Sequence, residues 1–122
     1  MRNNKFKEAM LAVRDLNRNY WDMRKDNTVG ADDYFHCKAN YEATSRGSVG
    51  EKVATRLGNA KETFDYYYNQ VGKGLSSSEA LKDRYHDSEV NKIGRQRAKS
   101  GLYGNSREGC SSYRVRGIND KY

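Results

Sequence analysis

The chain has no proline, and only two cysteines, two histidines and one tryptophan among its 122 residues. Without proline, turns must rest on glycine, asparagine and serine. Cys37 and Cys110 are far apart and outside any CxxC, too few for a tetrahedral thiolate metal site. His86 stands beside Asp87 and Glu89 with no second histidine at ligand spacing, which reads as a surface turn. "QVGKGLSSSE" lacks the preceding strand and the spacing of a phosphate loop, so it reads as a helix stop followed by a helix start. No metal and no cofactor are expected. Apolar residues nowhere run beyond about five together, against the roughly 20 that a membrane-spanning helix needs. The opening "MRNNKFKEAM" is positively charged but has neither the apolar run nor the cleavage site of a signal peptide.

What is present is charge and tyrosine. Hydrophobic residues make up 35% and mean hydropathy is −1.13, low values for a globular chain. Ten tyrosines and three phenylalanines can nevertheless close a thin core, and the length has room for one domain. Net charge is +7, from 23 basic against 16 acidic residues. Much of the excess falls late, where Arg95, Arg97, Lys99, Arg107, Arg114, Arg116 and Lys121 face only Glu108 and Asp120. Such a balance favours anionic partners: nucleic acid, acidic polysaccharide, a phospholipid surface or an acidic protein. A solvated basic tail is the competing reading.

Periodicity makes the rest helical. Phe6, Met10, Val13, Tyr20 and Met23 form an apolar stripe over 4–26. Gly30 breaks it, and Asp32 or Ala31 opens a second helix that ends near Arg46 and Gly47. Ser48 with Glu51 reads as a capping box before the stripe Val53, Leu57, Ala60, Phe64, Tyr67 and Val71. Tyr66 and Tyr68, on either side of Tyr67, point elsewhere and should be partly exposed. Ser76 with Glu79 opens a fourth helix, which lapses in pattern and should kink near His86 to Ser88. Beyond Gly101 there is no helical period. The reading is all-α: one domain of four helices over about 4–26, 32–46, 49–71 and 77–99, with residues 101–122 as an extended tail across the bundle.

"RDLNRNYWDMRKDNTVGADDYFHCKANYEATSRGSVGE", residues 14 to 51, resembles the serum amyloid A family. The agreement lies at Arg14, Asp15, Tyr20, Asp22, Met23, Arg24, Asn27, Gly30, Asp32, Tyr34, Phe35, His36, Asn40, Ala43, Arg46 and Gly47, in one register. "GNAKE", "VNKIGRQ" and "YRVRGINDKY" resemble later family segments, so nearly the whole chain is covered. The resemblance implies a cone-like four-helix bundle wrapped by its C-terminal tail. The cysteine after His36 and the one near the C-terminus look closer to bacterial homologues, which implies a domain from the tip of a large secreted Rhs-type toxin. In vertebrate members the N-terminal segment is strongly apolar and associated with lipid binding. Here Asn3, Asn4, Lys5, Lys7 and Glu8 interrupt it, which counts against that function. A disulfide Cys37–Cys110 would add about 4 to 5 kcal/mol by chain entropy. The alternative is two buried thiols, and the export that the resemblance implies favours the bond.

His36 and Asn40 fall one turn apart, flanked by Ala39 and Ala43. They read as an inward polar pair whose partner is Glu62 or Asn59, a satisfied structural pair in preference to a catalytic one. The catalytic version has His36 as general base, oriented by Glu62 or Asn40. Candidate anion-binding residues are Arg46, Arg56, Arg95, Arg97, Lys99, Arg114 and Arg116. Three functions follow. The preferred one is a secreted effector or toxin module, delivered into a target cell, that binds anionic surfaces or membranes and travels with an acidic immunity protein. The second is a nuclease or hydrolase using His36 and Glu62. The third is a non-toxic module that binds lipid, retinoid or acidic glycan. A homo-oligomer and a nucleic-acid partner stay open.

Overall fold

Four long helices follow the sequence periodicity closely: α1 Arg2–Asp26, α2 Asp32–Ser45, α3 Ser48–Val71 and α4 Ser77–Ser100. The structure, a computed structural model, describes residues 2–71, 74 and 76–122, and omits the side chains of residues 2, 3, 62–70, 77, 80 and 83. The fold is all-α, a four-helix bundle with a short C-terminal region packed on it, and the described residues contain no strand. The readings made at Phe64 and at Tyr66 to Tyr68 lie outside the described residues.

The shortest of the four helices is the central one. α2 packs against α1, α3, α4 and the tail, and buries Tyr34, Phe35, Cys37, Ala39, Asn40, Tyr41, Ala43 and Thr44. Close approach needs missing side chains. A Cβ on Gly94 of α4 would stand 2.5 Å from the Cys37 carbonyl oxygen, and one on Gly109 would strike the Tyr41 ring. The main core joins Tyr34, Phe35, Cys37 and Tyr41 to Val90, Cys110, Ile118 and Tyr122. A smaller core of Ala12, Ala43 and Ala54 seats α1 and α3 at the other end of α2.

Two helix starts differ in kind. The Ser76 hydroxyl accepts from the Glu79 amide at 3.2 Å, as a capping serine should. At α3, by contrast, Ser48 already lies inside the helix, and the Glu51 amide bonds the Gly47 carbonyl. Glu8 of α1 supplies the cap instead, its Oε1 accepting from Val49 N at 2.8 Å and Gly50 N at 3.2 Å. A carboxylate suits the positive end of the helix dipole, and this one comes from a neighbouring helix. α4 runs without interruption through His86 to Ser88 and ends at Gly101, in the left-handed region at φ 69°. There the imidazole Nε2 of His86 lies 2.8 Å from Asp33 Oδ2, which ties α4 to the start of α2.

The tail is only partly extended. It holds a one-turn helix, α5 Ser106–Gly109, capped by Asn105, and a 3-10 turn Ser111–Tyr113. Cys37 and Cys110 are joined in a disulfide, both fully buried.

Part of the apolar stripe of α1 is turned outward, contrary to the reading from periodicity: Phe6, Met10 and Tyr20 are exposed, with Trp21 beside them, while Val13 is half-buried and Met23 packs on the main core. Phe6 is 69% exposed, Met10 57% and Trp21 58%. The inward face joins Ala12, Leu16 and Met23 to the cores and carries a row of polar residues beside them. Glu8, Asp15, Asn19 and Asp26, at steps of seven, four and seven, share one side of the helix, and each ties α1 to another element. Glu8 caps α3, Asp15 holds Arg46 of the α2 terminus, Asn19 bonds Glu42 of α2, and Asp26 accepts from the Asn119 amide of the tail.

Candidate functional site

Asp15 is fully buried and meets Arg46 in two bonds, Nε to Oδ2 at 2.8 Å and Nη2 to Oδ1 at 3.1 Å. That hydrogen bond raises the Arg46 pKa above its ordinary value. Glu42 is the hub of the same network. It accepts from Arg18, from Asn19 Nδ2 at 3.0 Å and from Ser106 Oγ at 2.6 Å, with Lys38 Nζ at 3.7 Å. The other end of the tail closes around Arg114. Its guanidinium donates to the Tyr34 hydroxyl and the Tyr122 carbonyl, both at 2.9 Å, and lies 5.0 Å from the Tyr34 ring centre. Burial pushes the Tyr34 pKa up, against the opposing pull of Arg114.

These contacts decide the fate of the candidate anion-binding residues. Arg46 is spent on Asp15, Lys99 on Glu51 at 2.9 Å, and Arg95 on Asn40 Oδ1 at 3.0 Å. Arg97 bonds the Gly109 carbonyl and the Ser112 hydroxyl, each at 2.8 Å, and Arg114 holds the C-terminal turn. Arg56 and Arg116 are exposed. Five of the seven thus hold bonds within the bundle and its tail.

His36 and Asn40 do lie together, but Asn40 finds its partners elsewhere than expected. Its Nδ2 donates to the His36 backbone carbonyl and to Asn91 Oδ1, each at 2.9 Å. The partners are therefore on α4, while Asn59 of α3 is exposed. Asn40 thus reaches the backbone carbonyl of His36. The Glu62 side chain, the other proposed partner, lies outside the described residues.

His36 and Asn40 line an open-mouthed cavity of about 340 Å³ to which all four long helices contribute. Leu16, Tyr20, Met23, Phe35, Ala39 and Leu57 supply its apolar wall, and Asn19, Asn91, Asp87 and Lys61 add polar groups. The exposed members, Asn17, Tyr20, Leu57 and Lys61, mark the mouth between α1 and α3, where Lys61 Nζ stands 5.9 Å from the Tyr20 ring centre. Sequence reading singled out His36, Asn40 and Arg46 but gave no role to Glu8, Asn19 or Glu42. For Glu8 and Asn19 the signal was available in the seven-four-seven row of polar residues along α1; Glu42, on α2, has no such row. Among the described residues no cluster of metal ligands occurs, and no helix is long and apolar enough to cross a membrane.

Comparison with known proteins adds identity to this geometry. A family model described as Serum amyloid A protein matches residues 3–122. Serum amyloid A protein of Bos taurus is 33% identical, covering 96% of this chain and 82% of its own length. That of Ovis aries is 32% identical over 94% of each chain, and serum amyloid A-1 protein of Mus musculus is 31% identical over 94% of this chain and 79% of its own. These relatives are mammalian proteins named for serum, and they overturn the reading as a bacterial toxin or effector tip delivered into a target cell. The reason for expecting an acidic immunity protein goes with it.

Proposed function

This chain belongs to the serum amyloid A family, and from that premise we propose that it is a secreted binding module that lays α1 against an anionic phospholipid surface. The observation that carries this reading is the segregation of side chains around α1. Phe6, Met10, Tyr20 and Trp21 are exposed on its outer side. Lys7, Arg14 and Lys25, also exposed and spaced at seven and eleven, run along one edge of that stripe. All four acids of the helix, Glu8, Asp15, Asp22 and Asp26, fall on the inner half. An apolar face with a basic flank and no acid is the pattern of a helix that lies in a lipid interface. A second copy would set equal basic edges against each other, whereas anionic headgroups neutralise them. The buried disulfide supports secretion, since such bonds persist in oxidising compartments.

The test is sedimentation with vesicles of neutral lipid alone or with added anionic lipid. Binding should require the anionic lipid, weaken with salt and fall at least tenfold in Phe6→Asp/Met10→Asp, a variant that keeps its helical circular dichroism. Unchanged binding by that variant would sink the proposal.

A further inference from the structure

The outer stripe of α1 carries one sulfur. Met10 is 57% exposed and stands one helical turn from Phe6, Lys7 and Arg14, so it lies where the apolar face meets its basic edge. It belongs to neither core. Met23, on the same helix, is half-buried and packs on the main core. Both cysteines are locked in the buried disulfide, so the chain has no thiol to compete for an oxidant. Among the described residues Met10 is therefore the most exposed oxidisable sulfur, in a chain whose disulfide suits an oxidising compartment.

We propose that Met10 is a site of reversible oxidation that weakens the hold of α1 on an anionic phospholipid surface, an inference that rests on the lipid-docking reading of that helix. The oxidant is a peroxide. The thioether sulfur gives its electron pair to one peroxide oxygen, the O–O bond breaks as the S–O bond forms, and the other oxygen leaves as water. Sulfur loses two electrons and the peroxide gains them. The product is a sulfoxide, polar and uncharged, at a position where an apolar side chain would enter the lipid interface. A dithiol reductase restores the thioether, the oxygen leaving as water while the dithiol closes to a disulfide. The effect is selective. Lys7, Arg14 and Lys25 keep their charge, so attraction to anionic headgroups survives while the apolar contribution falls. The same change at Met23 would instead press a polar oxygen against the core.

The test exposes the full chain to dilute hydrogen peroxide for increasing times and maps the added oxygen by mass spectrometry of its peptides. At each time, binding to phosphatidylcholine vesicles containing phosphatidylglycerol is measured by sedimentation. Met10 should oxidise well before Met23, and affinity should fall about tenfold in step with Met10, with salt dependence and helical circular dichroism retained. Binding by Met10→Leu should no longer respond to peroxide, whereas Met23→Leu should respond as the natural chain does. Met1, outside the described residues, is common to both variants, so its oxidation cancels in that comparison. If either variant fails to fold, the time course on the natural chain still decides. Oxidation of Met23 ahead of Met10, or undiminished binding once Met10 carries its oxygen, would overturn the assignment while leaving lipid docking in place. An untreated chain that ignores the anionic vesicles would instead overturn the docking reading, and this inference with it.

Discussion

Replacing both Cys37 and Cys110 by alanine should cost the protein a large part of its stability. The bond closes a loop of sequence separation 73. In the chain-entropy treatment a loop of that size restricts the unfolded chain by about 15 cal/mol/K, or about 4.4 kcal/mol at 25 °C. Against a usual total of about 5–15 kcal/mol, that is a third or more. Both sulfurs are buried between α2 and the tail, so the alanines also leave a small void, which adds to the loss. The native tail keeps other fastenings: Ser106 to Glu42, Arg114 to Tyr34 and Tyr122, and Asn119 to Asp26. The variant should therefore still fold in the cold with the same helix content, and the loss should appear chiefly through a more expanded unfolded state. Urea unfolding followed by circular dichroism measures this: the midpoint should fall and the slope with urea should rise, because the uncrosslinked chain exposes more surface. A loss below about 1 kcal/mol with an unchanged slope would refute the reasoning, since it would mean the cross-link does not restrict the unfolded chain.

Glu8→Ala removes the carboxylate that caps α3, so stability should drop by about 1 kcal/mol, and hydrogen exchange at Val49 and Gly50 should speed up first. Gly94→Ala pushes a methyl onto the Cys37 carbonyl and should destabilise by about 1–3 kcal/mol in urea melts, through overpacking of α4 on α2. The hydrogen bond to Asp33 raises the His86 pKa above its ordinary value, with burial opposing it and Asp33, Asp87 and Glu89 adding attraction. A raised folded value means the contribution is complete below the unfolded pKa of about 6.5 and disappears as pH rises through the folded one. Thermal melts at pH 5.5 and 8.5 should show a small acid-side gain for this exposed pair, a few tenths of a kcal/mol, and His86→Gln should abolish it.

The four long helices were legible because caps, glycines and three-four spacing are local properties. The Ser76 and Glu79 pair and the stop at Gly101 needed no tertiary information. The Ser48 and Glu51 pair looked equally good and yet is not the cap, because Glu8, forty residues earlier, reaches the same amides. Local pattern reports that a helix end needs an acceptor; it does not report who supplies it. The anion-binding candidates met the same limit. Counting charge along the tail located an excess but not the carbonyls, hydroxyls and acids that absorb Arg97, Arg114 and Lys99 in the folded chain.

The orientation of α1 is the strongest case. Periodicity identifies an apolar stripe, and a single chain is ordinarily expected to bury it. Here the opposite face is the one that specifies the fold. Its anchors are side chains of fixed reach and polarity: a carboxylate to a helix end, a carboxylate to a guanidinium, an amide to a glutamate and a carboxylate to a tail amide. Directional bonds of this kind fix register where an apolar contact alone would permit sliding. They share the task of holding the bundle with Leu16 and Met23, which pack on the two cores. Phe6 and Met10 can then remain outside, available to a surface, at a cost in exposed apolar area that a chain serving only its own stability would avoid.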